Sequence, residues 1–445
     1  MFTRKLAVAV AAALVSQGAA AQESLKDALQ RVLKDHALIQ VVDNDVAVAT
    51  NQLAMERSAW LPRASLRQNY GYQDIERDIG ADDDYSPQEL SVGATQLLWD
   101  FGATNAAIER ARRNLGKEEL EREAQRQNLL LAGIEAHLKL VRAQQVLDYA
   151  GDSEENVKHQ TQLESVRLEA GKGYTTDVLQ AKAQLAGAQA RRVAAEGQLQ
   201  NAMHRYRAVF GENYGVQRVS ETLAVPTSGM PSDLDAALST MDSNNVDLLT
   251  ARERTKLAAA DREAIRAREF MPRVDLVVEQ SRKREYDGFT GDRNDLKAMV
   301  QATWSFDFGM RQSRAVDAAS FATRSEQEKT RYVQVQVLEE ARNAWADYTT
   351  SKQRQQFLNE QVDLAQRFVD LARKERELGR RSLLDVLSGE TNLINAKSDA
   401  AAAQTDVVLA SFRIMRAVGV LNLDAVRTET LAKRDPFESH NLAAR

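Results

Sequence analysis

The sequence contains no cysteine, which removes disulfides, thiolate metal sites and thiol catalysis together. It also leaves no cysteine to carry a lipid anchor. Only six prolines and 21 glycines interrupt 445 residues, and Ala, Gln, Glu, Arg and Leu dominate, as they do in long helices. No sign of charge prevails, because 59 basic residues are dispersed among 64 acidic ones for a net −5. A chain of this kind has no basic tract for nucleic acid. His36, His137, His159, His204 and His440 fall at no metal-ligand spacing. Gly171-Lys172-Gly173-Tyr174-Thr175 lacks the glycine spacing and the Gly-Lys-Ser/Thr order of a phosphate loop. The reading is therefore of a protein that is not an enzyme, with no cofactor and no metal.

Long apolar runs are also missing beyond the first residues. Arg4 and Lys5 precede an apolar stretch from Leu6 to Val15, and Ala19-Ala20-Ala21 comes just before Gln22. That is the layout of a secretory signal peptide over residues 1–21. The stretch is too short to span a bilayer as a helix, which takes about 20 apolar residues. If the mature chain enters a membrane, it must do so as a closed barrel.

The chain repeats itself once. Trp60-Leu61-Pro62-Arg63 corresponds to Phe270-Met271-Pro272-Arg273, and Leu98-Trp99-Asp100-Phe101-Gly102 to Ser305-Phe306-Asp307-Phe308-Gly309. Glu135-Ala136 matches Glu340-Ala341, Gly171 with Asp177-Val178-Leu179 matches Gly379 with Asp385-Val386-Leu387, and Arg207-Ala208-Val209 matches Arg416-Ala417-Val418. Gly211 to Pro231 carries Gly, Pro, Ser and Thr without helical periodicity. These landmarks predict a first copy over 22–212, a linker over 213–231, a second copy over 232–420 and a polar tail over 421–445.

Each copy has the order helix, strand pair, long helix, turn, long helix. The first helix is expected from Leu25 to about Ala59 with Ser24 as N-cap, and its counterpart to begin after Ser232 and stop before Pro272. Between the prolines and the Asp-Phe-Gly triplets the apolar period falls to two, predicting strand pairs over 62–98 and 272–306. Leu296, Ala298, Val300, Ala302, Trp304 and Phe306 alternate with Lys297, Met299, Gln301, Thr303 and Ser305. Leu90, Val92 and Ala94 alternate with Ser91, Gly93 and Thr95, and Val274, Leu276 and Val278 with Asp275 and Glu279. Ala64, Leu66, Tyr70 and Tyr72 give a weaker version. Runs of about nine to eleven residues suit tilted transmembrane strands. Trp99, Trp304 and Phe306 gather at one strand end, and Tyr70, Tyr72, Tyr85, Tyr286 and Phe289 lie towards the other, as aromatic girdles do. The strand-connecting segments Ile75 to Glu89, with Asp82-Asp83-Asp84, and Glu285 to Asp295, with Asp287 and Asp292, read as solvated acidic loops. They lack the spaced ligands of a calcium loop.

From Gly102 to about Ala170 no proline occurs, and a continuous helix of that length reaches about 100 Å. Val178, Ala181, Leu185, Ala188, Ala195, Leu199, Ala202, Tyr206 and Val209 form a coiled-coil seam in the return helix. Val386, Leu393, Ala396, Ala400, Ala403, Val407, Ala410, Ile414 and Ala417 form the second. Four strands cannot close a barrel, and open edges are excluded from lipid. Oligomerisation follows, and twelve strands from three chains leave room for a lumen that eight from two do not.

Over nearly the whole mature chain the sequence resembles the TolC family of outer-membrane export proteins. The resemblance rests on the duplicated plan, on Pro62 and Pro272 before the strands, and on Gly379-Arg380-Arg381-Ser382-Leu383-Leu384-Asp385-Val386-Leu387. It implies a mainly α fold with transmembrane β, in which a homotrimer builds a long α-helical coiled-coil barrel on a 12-stranded outer-membrane barrel. It also implies an equatorial belt made from linker and tail. The implied role is a passive exit duct in the outer membrane, its helical tunnel reaching into the periplasm. The implied partners are outer-membrane lipid, a periplasmic adaptor (membrane fusion protein) and an inner-membrane ABC or proton-driven transporter. By the same resemblance Arg381 bonds to Thr176 and Asp177 to hold a periplasmic mouth closed, and Asp385 supplies one carboxylate per protomer to a constricting ring. The family pattern has tyrosine where Arg376 stands and a second ring aspartate where Ser388 stands, which implies a single-tier ring and a different latch. The absent anchor cysteine points to the non-lipidated branch, with type I protein secretion as the expected role and multidrug efflux as the alternative. A periplasmic coiled-coil adaptor fits less well, since it would carry its helical hairpin once.

Overall fold

The computed structural model of the chain describes residues 24–75, 83–211, 221–286 and 291–430. The expected signal peptide, Asp82, Asp287, Phe289 and the end of the polar tail lie outside the described residues. The helices are α1 (Leu25–Asp35), α2 (Ala37–Ser58), α3 (Ala103–Glu169), α4 (Thr175–Phe210), α5 (Leu234–Asn244), α6 (Val246–Phe270), α7 (Arg311–Glu377) and α8 (Leu383–Ala417). The strands are β1 (Arg63–Tyr70), β2 (Gln73–Ile75), β3 (Asp83–Tyr85), β4 (Gln88–Trp99), β5 (Glu221–Leu223), β6 (Arg273–Arg284), β7 (Asp292–Thr303) and β8 (Thr428–Thr430). Among the described residues, no helix is long and apolar enough to cross a membrane. The chain divides into two compact units, and each draws on both sequence copies: 41–123 with 246–335, and residues up to 40 with 124–245 and 336 onward.

In the first of these units β1, β4, β6 and β7 form one antiparallel sheet in that order. Both β1 and β6 begin at the residue after a proline, whose missing N–H cannot join a ladder. The register sets the expected apolar positions side by side. Ala64 faces Ala94, Ala94 faces Val278, and Val278 faces Ala298; one step up, Leu66 faces Val92. Because side chains alternate strictly, this shared face excludes Thr95, Glu279 and Gln301, which lie on the other. Between Leu97 and Trp99 the register slips by one, aligning Trp99 with Val274 on the apolar side. Trp99 then meets Phe101 edge-on at 6.1 Å, and Trp304 lies 4.8 Å from Phe306 with its indole N–H on the Phe270 carbonyl.

The segment expected as a plain acidic loop carries the short ladder β2–β3, with Asp74 opposite Asp84. The repeated Asp-Phe-Gly triplet has a structural reason. Asp100 accepts from the amides of Gly102 and Thr104 at 3.1 and 2.6 Å, and Asp307 from Gly309 at 2.7 Å. Asp100 thereby takes up an orphan N–H in the first turn of one 67-residue helix, and Asp307 fixes the turn that leads into the other.

The helices of this unit stand in a row that repeats the strand order. Arg110 and Arg122 of α3 pair with Glu56 and Asp43 of α2. Arg113 of α3 also reaches Glu253 of α6 at 3.4 Å, and Glu109 and Glu253 together hold its guanidinium above the usual arginine range. Arg254 of α6 reaches back to Glu121, while Thr255 and Thr330 join α6 to α7 at 2.9 Å. The row is thus α2-α3-α6-α7 beside β1-β4-β6-β7. Its two ends carry exposed apolar side chains: Val41, Val48 and Met55 on α2, and Phe321, Tyr332 and Val335 on α7.

In the second unit α1 buries Leu25, Leu29 and Val32 against Leu130, Ile134 and Leu138 of α3, Phe210 of α4 and Phe412 of α8. Phe412 is fully buried, and truncating such a side chain costs about 3–5 kcal/mol. Linker and tail meet here as the β5–β8 pair. Two expected helices are broken. The first stops at His36, whose backbone turns extended while its Nδ1 accepts from the Leu38 amide at 3.2 Å. Its counterpart opens just after Ser232, on Asp233 as N-cap, and breaks at Asn245, whose Nδ2 donates to the Ala417 carbonyl at 2.7 Å. The Ala236 amide on the Asp233 carboxylate lowers its pKa below the ordinary aspartate value. The seam of α8 is buried along its length, Ala400 being half-buried.

Candidate functional site

The two turns that join the long helices are built alike. Gly171 and Gly379 take φ of +70° and +71°, a conformation that costs glycine nothing and other residues a good deal. In the first turn the Gly171 amide donates to Leu168 and that of Lys172 to Arg167; in the second, Gly379 donates to Arg376 and Arg380 to Glu375. Both are the paired bonds of a Schellman C-cap. The return helices start differently. Ser382 caps α8 by accepting from the Asp385 amide at 3.1 Å, whereas Tyr174 gives α4 no side-chain cap.

The two hairpins pack through Val157 of α3, Ala181 and Ala188 of α4, and Leu383 and Leu387 of α8. Polar groups close this contact. Glu164 of α3 is buried to 2% exposure and accepts from Arg167 of its own helix at 2.9 Å and from Arg376 of α7 at 2.8 Å. Arg376 also donates to the Arg381 carbonyl at 3.2 Å. One guanidinium therefore joins the first hairpin to the turn of the second. Glu390 of α8, equally buried, is held by Arg373 of α7.

Within the protomer Arg381 does not pair with Thr176 or Asp177. Its Nε donates to Glu375 at 2.6 Å and its guanidinium lies over the Phe368 ring at 5.2 Å. The physical reason is reach: Glu375 sits in the last turn of α7, directly under Arg381. Thr176 is exposed and Asp177 half-buried in the first turn of α4. Asp385 and Ser388 are exposed one turn apart on α8, so a single carboxylate stands on that face with a hydroxyl beside it.

Glu164, Glu375, Phe368 and Glu390 were not among the residues singled out from sequence. For two of them a signal existed. Glu164 follows Val157 and Thr161 at 4-3 spacing, and Glu390 lies between Val386 and Leu393 at the same spacing. A buried carboxylate on an apolar seam requires a cation beside it.

Among the described residues no group of acids and histidines could hold a metal ion. Two strand pairs, each followed in the chain by a 67-residue helix, a capped turn and a return helix, follow the plan of a channel-tunnel protomer. The chain belongs to the outer membrane efflux protein family, whose sequence pattern matches residues 28–212 and 237–420. It is 25% identical over 416 residues to the outer membrane protein TolC of Escherichia coli K12, covering 90% of this chain and 83% of that protein. It is 24% identical over 415 residues to the alkaline protease secretion protein AprF of Pseudomonas aeruginosa, covering 89% and 85%. The solved structure of the outer-membrane channel OprN superposes with a TM-score of 0.78 at 20% identity, covering 89% of this chain and 90% of that one. The chain is accordingly an outer-membrane export channel and not an enzyme.

Proposed function

We propose that three copies of the chain close one 12-stranded barrel and one helical tunnel, and that the duct receives its cargo from an inner-membrane transporter through a periplasmic adaptor. The observation that carries this reading is the open sheet. β1 and β7 are edge strands, the sheet's apolar face suits lipid, and unpaired edges do not survive in a bilayer. The row α2-α3-α6-α7 is open at the same two ends, where its exposed apolar residues lie, so one head-to-tail contact completes both layers.

At the paired turns, Arg376 with Glu164 is the tie that keeps the hairpins together, Arg381 with Glu375 stiffens the second turn, and Asp385 presents its carboxylate to the passage. Type I protein secretion is the role we assign, supported by the likeness to AprF, a protease secretion protein. Deleting the gene tests it. Loss of a polypeptide from the culture medium with unchanged drug susceptibility is the expected result; drug hypersensitivity with secretion intact would assign the duct to efflux instead.

A further inference from the structure

The sheet's polar face carries unequal charge. Alternation puts Arg273, Lys283, Arg293 and Lys297 on that face with Glu89, Asp275, Glu279 and Asp295. These neutralise one another in place. Arg273 Nε donates to Asp275 at 2.7 Å, Lys283 Nζ lies 3.5 Å from Glu89, and Arg293 Nε donates to Asp295 at 2.9 Å. Glu279 stands directly across the ladder from Lys297.

Two more cations share the face, Arg63 and Arg67, both exposed on β1 and four residues apart. That spacing is about 13 Å along a strand. Three of the four carboxylates bind a cation and Glu279 stands opposite one, so this pair is in excess. Closure against a second copy leaves the count unchanged, because the polar face of β7 brings one carboxylate, Asp295, which already binds Arg293. Three protomers then place six uncompensated guanidinium groups around one lumen.

We infer that the barrel lumen is an anion-attracting belt, held by Arg63 and Arg67, that favours small anions and the carboxylate-rich stretches of acidic polypeptides. The inference rests on the barrel reading above, which makes the polar face the lumen. Its sign is opposite to that of the Asp385 carboxylates at the helical turns. Salt sets its range. Fixed charges act over about 10 Å at 0.1 M and about 30 Å at 0.01 M, so the belt reaches the middle of a wide lumen in dilute salt and is confined to the wall in concentrated salt.

The test is the reversal potential of the full-length trimer in planar bilayers under a potassium chloride gradient. At about 10 mM the Arg63→Gln, Arg67→Gln double variant should lose roughly half or more of the wild type's chloride-to-potassium permeability ratio, and at about 1 M the two should agree. Poly-glutamate should block wild type more strongly than the double variant. Arg282→Gln, on the apolar face and 68% exposed at its side chain, should leave the ratio unchanged. A double variant that conducts with the wild-type ratio in dilute salt overturns the belt, as does an equal shift from Arg282→Gln. A folded, heat-resistant protein that never conducts overturns the barrel reading instead.

Discussion

Arg376 Nη2 donates to Glu164 Oε1 at 2.8 Å across 212 residues of chain, so a helix of the first copy is fastened to a helix of the second by one charged bond. The carboxylate is almost wholly buried and the guanidinium largely so. Removing one member of such a pair leaves the other desolvated without compensation and costs about 3–5 kcal/mol. If the packed hairpins are the closed state, Glu164→Gln and Arg376→Gln should each raise open-state occupancy more than tenfold in single-channel records. The double variant should be no worse than either alone. Strictly additive effects would show that the two residues act separately.

Arg381→Ser should open the mouth less than Arg376→Gln does. Its Glu375 partner lies six residues away in the same hairpin, so the lost bond frees a turn and not a contact between hairpins. A larger conductance rise from Arg381→Ser would restore Thr176 and Asp177 as its partners, reached from a neighbouring protomer.

Asp385→Ala should weaken cation preference and block by multivalent cations while leaving the frequency of opening unchanged. The carboxylate is exposed, and the cap bond to Ser382 comes from the Asp385 amide, which alanine keeps. Selectivity equal to wild type in planar bilayers would remove Asp385 from the passage.

Single cysteines distinguish the faces of the sheet, since the chain has no thiol of its own. A membrane-impermeant maleimide should label Thr95→Cys, Glu279→Cys and Gln301→Cys, and should spare Ala64→Cys, Leu66→Cys, Val92→Cys, Val278→Cys, Ala298→Cys and Val300→Cys. Uniform labelling of both sets contradicts the register.

Charges placed on the row ends should break the trimer without unfolding the protomer. Val48→Asp on α2 or Tyr332→Asp on α7 puts a carboxylate where a neighbour's apolar stripe must pack. The expected result is loss of heat-resistant trimer mobility with far-ultraviolet dichroism retained. Full heat resistance in both variants would free these stripes from the protomer contact.

Pro62, Pro272 and the alternation from Leu296 to Ala302 were enough to place the sheet, because a missing N–H and a period of two act within a few residues. The breaks at His36 and Asn245 were hidden for the opposite reason. Neither has a proline or glycine at the break, and Asn245 leaves the helix to bond a carbonyl 172 residues away. The turns were located by Gly171 and Gly379, yet the partner of Arg381 was not legible. Arg381 meets Glu375 because the Gly379 turn folds the chain back over the last turn of α7, and residue spacing alone does not say which carboxylate such a turn brings to a long side chain.

A row of elements open at both ends has a further consequence for the life of the single chain. Two complementary edges can join without limit, and only the turn from one copy to the next decides whether the third meets the first. A sheet that is too flat would add copies into a ribbon. A bulge such as that between Leu97 and Trp99 bends and twists its strand, which favours closure into a ring over growth into a polymer.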